Sequence, residues 1–288
     1  MSNRFRSADF TVFALASMLL LGCGGDAGGD AEGGDAQGGA EPAAAPFDES
    51  TAGNVSGSVM FTGTAPAPSP IDMSDEPVCA DRYDGGPMTQ EVVVTGGHLA
   101  NVFVYVREGL EGMTFPTPSE SVVVDQDGCR YHPHVSGVMA GQSVAFQNSD
   151  GILHNINATP EENRGFNISQ PVEMTTERTF AVPEVMVPIR CDVHGWMGAY
   201  IGVVAHPYHA VTGEDGSFDL STLPPGDYVI EAWHERYGTR TANVTVVTGE
   251  TAQLNFEFDD STVGTAPLGE PIDPHDHGAP VVAAGGGG

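Results

Sequence analysis

Many short stretches of this chain have an apolar residue at every second position and a polar residue between. Such stretches, rich in valine, threonine and aromatic residues and bounded by glycine, proline and aspartate, are typical of half-buried β-strands. No long stretch repeats its apolar residues with the period of a helix. The predicted strands include residues 55–63, 91–94, 99–106, 121–124, 142–147, 175–182, 185–189, 199–204, 243–247 and 252–258. The chain is therefore expected to be all-β.

The start of the chain has the pattern of an export signal. Arg4 and Arg6 precede an apolar run at 10–21 that is too short to cross a bilayer as a helix. The residues that follow, up to Cys23, resemble the bacterial lipoprotein signal. That resemblance implies a signal peptide at 1–22, lipid attached to Cys23, and a location in the bacterial cell envelope, facing the periplasm or in the outer membrane. An ordinary signal peptide, which would leave Cys23 as a free thiol, is the alternative.

Composition and charge narrow the choice of partners. Residues 23–52 are glycine, alanine and acidic residues with little to bury, so we expect a disordered tether; a second disordered segment is expected at 259–288. The formal net charge is −29 with only 10 basic residues, which argues against a nucleic-acid partner. The charge favours a basic partner protein. The alternative is that the acidic residues only make the protein soluble.

One short stretch concentrates ligands for a soft metal. Cys191, His194 and Met197 supply a thiolate, an imidazole and a thioether within seven residues. One cysteine, two histidines and a weak axial methionine form the ligand set of a blue-copper site. The second histidine must come from elsewhere in the chain. His154, which follows the predicted strand at 142–147, is the best candidate.

The order and spacing of these residues resemble the cupredoxin family over about 122–204. The short gap from His194 to Met197 resembles the amicyanin type. The resemblance implies a cupredoxin Greek-key β-sandwich that holds one type 1 copper ion and transfers electrons between Cu(I) and Cu(II). It further implies that Asn155 lies behind the ligands and ties their loops together. His194 and Trp196 would then lie on an exposed apolar edge, where a redox partner docks.

Other interpretations of single residues stay open. Taken alone, a buried thiol, a core methionine or a histidine in a turn is the simpler interpretation of Cys191, Met197 and His154. His132 and His134 lie on one face of a strand and are surface or packed histidines more often than a second metal site. The His-Cys-His run of multicopper oxidases is absent from the sequence. No nucleophile–base pair or pair of carboxylates argues for hydrolysis, so we expect no enzymatic activity.

A second pattern follows the ligand segment. Asp215 and Gly216 form a predicted hairpin turn, and the strands on either side alternate. This part resembles the carboxypeptidase regulatory-like domain, a small transthyretin-like β-sandwich, whose opening strands fit 57–59 and 100–104. We therefore expect a nested arrangement, with 107–206 as the copper domain between two halves of the outer sandwich, 53–106 and 207–258. Two domains in tandem are the alternative. His206, His209 and His234 are interpreted as structural or surface residues.

The cysteines complete the sequence-based picture. With Cys23 assigned to lipid and Cys191 to metal, Cys79 and Cys129 remain of the 4 cysteines. Because an exported chain can keep a disulfide, we expect a Cys79–Cys129 bridge. Two free thiols or other ligands are the alternatives.

The expected function is membrane-anchored, extracytoplasmic electron transfer to or from a basic protein such as a c-type cytochrome. The alternative is a structural lipoprotein, or one that binds carbohydrate or protein through the outer sandwich, with a copper-storage or incidental metal site.

Overall fold

The computed structural model describes residues 47–261. The predicted signal peptide, Cys23, most of the tether, and the tail from residue 262, with His275 and His277, lie outside the described residues. A 3-10 turn (Glu49–Thr51) precedes the first strand, and a short helix α1 (Pro77–Ala80) interrupts the loop after it. The strands are β1 (Gly53–Thr62), β2 (Val94–Thr95), β3 (His98–Leu99), β4 (Phe103–Glu108), β5 (Val122–Gln126), β6 (Tyr131–His132), β7 (Val135–Met139), β8 (Ser143–Asn148), β9 (His154–Ala158), β10 (Phe166–Gln170), β11 (Met174–Thr179), β12 (Glu184–Arg190), β13 (Gly198–Val204), β14 (His209–Val211), β15 (Ser217–Leu223), β16 (Gly226–His234), β17 (Gly238–Val246), β18 (Thr251–Gln253) and β19 (Phe256–Asp259).

One pair of sheets combines strands from both ends of the described chain. Strand β1 pairs with β15, β3, β18 and β19, and β3 pairs with β2. The opposite sheet has the order β14-β4-β16-β17. Apolar side chains from the two sheets, among them Val55, Val104 and Ile230, form one buried core. We call this pair of sheets the outer sandwich.

The strands between β4 and β14 form a second pair of sheets, which we call the inner sandwich. Its sheets have the orders β10-β9-β12-β13-β7 and β11-β8-β5-β6. The two sheets enclose a separate core that includes Val124, Phe146, Ile189 and Ile201. Strands β12 and β13 are antiparallel neighbours, and their register sets Arg190 opposite Gly198. That register decides where the predicted ligand loop closes.

The two sandwiches pack together through a small apolar cluster centred on Phe103. This ring belongs to the outer sandwich, is fully buried, and packs with Val135, Val204 and Trp233. It lies on the inner sandwich where Gly202 of β13 pairs with Gly137 of β7. A Cβ atom added at Gly202 would lie 2.6 Å from the Phe103 ring. The absence of a side chain at this position is therefore what lets the two sandwiches approach closely.

Substitution of Gly202 by alanine is expected to lower the free energy of unfolding. Overpacking a filled interior typically costs about 1–3 kcal/mol, because neighbouring side chains and backbone must move. Gly198→Ala is the matched control, since it lies in the same strand and its added Cβ would meet no atom within 4 Å. Urea denaturation of both variants measures the effect. Equal stabilities of the two variants would contradict the close approach of Phe103.

The predicted all-β class is confirmed: the regular elements of the described residues are strands, apart from one short helix and one 3-10 turn. The single predicted strand at 99–106 is wrong in detail, because Asn101 has a φ of 60° and the chain divides there into β3 and β4. A backbone in that left-handed region cannot continue a strand. No helix within 47–261 is long and apolar enough to cross a membrane.

The proposed boundaries of the nested domains, 53–106 plus 207–258 and 107–206, stay a prediction. Strands from the start of the described residues pair with strands from their end in the outer sandwich, as a nested arrangement requires. One segment departs from these boundaries. Met73 and Cys79 lie in the core of the inner sandwich, although the predicted boundary assigns them to the outer sandwich.

Candidate metal centre

The predicted ligands lie at one end of the inner sandwich because three strand ends meet there. His154 is the first residue of β9, Cys191 directly follows β12, and Met197 directly precedes β13. The loop between β12 and β13 is tight. The Cys191 N–H donates to the Met197 carbonyl at 3.2 Å, and the Met197 N–H donates to the His194 carbonyl at 2.9 Å. Two paired strands thus hold Cys191 and Met197 opposite each other.

The side chains of His154, Cys191 and His194 converge. One ligand atom from each, two ring nitrogens and the sulfur, lies within 4.8 Å of the other two. The Nδ1 atoms of the two histidines are 2.9 Å apart, and Cys191 Sγ is 3.8 Å from His194 Nδ1. All three residues are buried, and Met197 lies in the same buried cluster as Cys191. The structure therefore brings together the three predicted in-plane ligands, with the predicted axial residue beside them.

The surroundings of Cys191 favour its thiolate. Burial by itself raises the pKa of this thiol. Hydrogen bonds from His154 and His194 and from the backbone N–H groups of Asn155 and His194 outweigh burial and lower the pKa to about 6. His154 responds in the opposite sense. Burial lowers its pKa, but the hydrogen bond to Asp150 and the interaction with Cys191 raise the pKa to about 8. A thiolate is the form of cysteine that binds metals.

Asp150 contacts the candidate site, although the sequence analysis did not place it there. Its fully buried carboxylate accepts a hydrogen bond from His154 Nε2 at 2.8 Å. It also accepts the N–H groups of Gly128 and Cys129, and pairs with the guanidinium of Arg82 at 2.8 Å. Burial raises the pKa of Asp150, but these donors together lower it below its usual value.

The carboxylate of Asp150 fixes the orientation of the His154 ring. With Nε2 bonded to Asp150, Nδ1 faces His194 and Cys191. A histidine ligand commonly donates its second ring nitrogen to a carboxylate in this way. The sequence could not predict these partners of Asp150, because Arg82 and Gly128 lie far from it along the chain.

Asn155, predicted to lie behind the ligands, hydrogen-bonds to the loop that follows Cys191. Its side-chain oxygen accepts the Asp192 N–H at 2.5 Å, and its amide nitrogen donates to the carboxylate of Asp192 at 2.9 Å. The Asp192 carboxylate also accepts from Asn157 and Asn167. The loop that begins at Cys191 is thereby fastened to the strand that carries His154.

The expected exposed edge at His194 is wrong. The His194 side chain is only 3% exposed, and its Nε2 atom is buried with no hydrogen-bond partner among residues 47–261. Trp196 is half-buried, and its indole N–H donates to the Cys129 carbonyl at 3.1 Å. The physical reason is that residues 71–83 pack over this edge, which a local motif does not reveal.

The remaining candidate residues lie apart from this site or support it. Cys79 and Cys129 form a disulfide. His134 contacts the Glu235 carboxylate at 2.5 Å, and His132 is exposed. Among residues 47–261, neither His132 nor His134 belongs to a group of three metal ligands.

The histidines assigned to the outer sandwich have structural contacts. His206 Nε2 is 2.8 Å from the Val106 carbonyl, and His234 is fully buried.

Comparison with known proteins supports the two parts of the chain unequally. Residues 197–259 match the carboxypeptidase regulatory-like domain. The predicted resemblance to that family is therefore confirmed for this segment. The match begins at Met197, so it includes the last strand of the inner sandwich. No protein of curated function matches the chain in sequence.

Solved structures similar to part of the chain are copper proteins. The nitrite reductase NirK from Thermus scotoductus SA-01 is 21% identical over 29% of this chain, with a TM-score of 0.28, and the chain spans only 22% of that enzyme. A purple cupredoxin from Nitrosopumilus maritimus is 18% identical over 29% of this chain and 99% of its own length, with a TM-score of 0.25. A reduced amicyanin mutant is 20% identical over 29% of this chain and 81% of its own, with a TM-score of 0.27. The predicted resemblance to cupredoxins agrees with these partial matches.

The metal-free protein is expected to hold Cys191 as a thiolate at neutral pH. The thiolate should form with a midpoint near pH 6, well below the ordinary value of 9.0. Because the pKa is lower in the folded protein, Cys191 stabilises the fold fully above pH 9, and this stabilisation is lost as the pH falls toward 6. His154 acts in the opposite sense, since its pKa is raised from 6.5 to about 8: its contribution is complete below pH 6.5 and is lost as the pH rises through 8.

The ultraviolet absorbance of the thiolate, followed against pH, measures this midpoint. Subtraction of the Cys191→Ser curve removes the tyrosine background. A midpoint near pH 9 would show that the two imidazoles do not stabilise the thiolate.

Proposed function

We propose that this protein binds one copper ion at His154, Cys191, His194 and Met197 and acts as an electron carrier. The observation that supports the proposal most strongly is the convergence of two imidazole nitrogens and one thiolate in a buried site. This donor set is the one that soft, redox-active copper prefers. The hydrogen bond from His154 Nε2 to the Asp150 carboxylate also fits a ring whose other nitrogen binds a metal.

Each residue has a separate role in the proposed mechanism. Copper bound there would take up and release one electron. The Cys191 thiolate would provide the strongest electronic coupling to the ion, His154 and His194 would hold it through ring nitrogens, and the Met197 thioether would tune its reduction potential. The buried loop and its hydrogen bonds would keep these side chains in place in both oxidation states, so little rearrangement would accompany electron transfer.

The rest of the chain suits a carrier attached to a membrane. We propose that Cys23 is lipid-modified, that the acidic tether separates the sandwiches from the membrane, and that the protein faces an extracytoplasmic compartment. Covalent lipid contributes about 0.8 kcal/mol per buried methylene to membrane binding. The formal charge of −29 favours a basic redox partner, such as a c-type cytochrome.

Electrochemistry of the copper-loaded protein tests the proposed function. We expect one copper per chain and a reversible one-electron couple that survives repeated cycles. Copper lost to a chelator during each cycle would instead favour storage or delivery. Tight binding of a carbohydrate or protein that is unchanged in Cys191→Ser, without a reversible couple, would replace electron transfer by the binding function.

Lipid attachment has its own test. Membrane fractionation should place the wild-type protein in the pellet and the Cys23→Ala variant in the soluble fraction. Mass spectrometry of Cys23 should show the acyl groups directly. An unmodified Cys23 would contradict the anchor and leave the copper site unaffected.

A further inference from the structure

Residues 71–83 belong to the connection between two strands of the outer sandwich, yet they pack on the inner sandwich. We call this segment the cap. It leaves β1 and returns to β2, and between them Met73 and Cys79 enter the core that holds Cys191 and Met197. Ile71 packs against the same core. The cap is therefore part of the wall of the candidate metal centre.

Three contacts hold the cap in place. The disulfide joins Cys79 to Cys129, and the Tyr83 hydroxyl donates to the Gly128 carbonyl at 2.6 Å. Arg82 pairs with Asp150, the residue that orients His154. The turn at 128–129, which receives the disulfide and the Tyr83 hydrogen bond, also accepts the Trp196 indole N–H, so the cap and the loop at 191–197 share one support.

The cap brings one acceptor to His194. The Oε2 atom of Glu76 is 3.8 Å from His194 Nε2, and that nitrogen is buried without a hydrogen-bond partner among residues 47–261. When Nδ1 of a histidine binds a metal, Nε2 carries the proton and must donate it. Glu76 is the carboxylate paired with this nitrogen, although its own side chain is 38% exposed and can adjust.

We propose that Glu76 is a positioning residue that accepts the Nε2–H of metal-bound His194, and that the disulfide-held cap closes this side of the centre. The proposal rests on the proposed copper site. His154 and His194 then each have a carboxylate behind them, Asp150 from the inner sandwich and Glu76 from the cap. An electron partner or a chelator cannot reach the His194 ring directly while the cap is closed.

Copper transfer to a chelator tests the proposal in the full chain. Glu76→Ala should release copper faster, because loss of the hydrogen-bond partner of a ligating histidine typically lowers metal affinity about 10- to 100-fold. Glu76→Gln should recover part of the loss, because its amide oxygen still accepts a hydrogen bond. The reduction potential of the copper should rise in both variants, because a negative charge that favours Cu(II) is gone. Asp75→Ala is the control, since it removes one charge from an exposed neighbouring residue of the cap.

The cap is tested separately from the metal by alkylation of Cys191 in the metal-free protein. Glu76→Ala and the double variant Cys79→Ser, Cys129→Ser should react faster than wild type and Asp75→Ala. If the double variant does not fold, Glu76→Ala decides the result. Equal copper release and equal alkylation in Glu76→Ala and Asp75→Ala would overturn the proposal. A wild-type protein without a copper–thiolate band would refute the proposed function, while faster alkylation of Glu76→Ala would still show that the cap closes the site.

Discussion

The Cys191→Ser variant is expected to lose the intense visible absorption that a copper–thiolate bond gives to the Cu(II)-loaded protein. A serine hydroxyl is not ionised at neutral pH, so it cannot replace a thiolate whose pKa the site lowers to about 6. Loss of a residue behind a metal ligand typically lowers metal affinity about 10- to 100-fold. Loss of Cys191 itself should lower copper affinity by more than this. Optical titration with Cu(II), with bound copper determined by metal analysis, measures both effects.

Val193→Ala is the matched control for this variant. Val193 lies in the same loop, and its side chain is 46% exposed, so its truncation should leave the band unchanged. A visible band that persists in Cys191→Ser would show that the thiolate is not the ligand. Loss of the band in both variants would show instead that the loop had been disrupted.

Asp150→Asn is expected to weaken copper binding by about 10- to 100-fold, because His154 loses the carboxylate that fixes its orientation. Asparagine keeps the size of the side chain but removes the charge, and its amide can present a donor to Nε2 in place of an acceptor. Competition with a chelator of known affinity measures the loss.

Asp127→Asn controls for the effect on Arg82. Asp127 is 3.6 Å from the same guanidinium but is mostly exposed, so its loss should leave copper affinity unchanged. Equal affinities of Asp150→Asn and Asp127→Asn would contradict the role of Asp150.

Local patterns in the sequence were sufficient for three of the four candidate ligands and for most strands. Cys191, His194 and Met197 lie within one hairpin loop, so their proximity follows from the chain itself. Alternation predicted the strand at 199–204, observed as β13 (Gly198–Val204), because one face of that strand is buried and the pattern records this. His154 required the ordered family pattern, since its contact with Cys191 spans two strands.

The parts that sequence analysis missed depend on contacts between distant segments. Asp150 orients His154, but Arg82 and the Gly128 N–H that hold it come from other parts of the chain. Glu76 reaches His194 only because the cap leaves the outer sandwich. The predicted pairing of Cys79 with Cys129 was the one available signal, since it would bring the neighbours of Cys79 to the metal centre. The contact of Phe103 with Gly202 and Gly137 could not be predicted either, because a glycine in a strand can have several structural reasons.

X-ray absorption spectroscopy of the copper-loaded wild-type protein tests the central claim most directly. We predict a copper ion with one sulfur neighbour at thiolate distance and two imidazole neighbours, and the loss of that sulfur in Cys191→Ser. Copper surrounded only by nitrogen and oxygen, with the same spectrum in Cys191→Ser, would contradict the assignment of His154, Cys191 and His194 as its ligands.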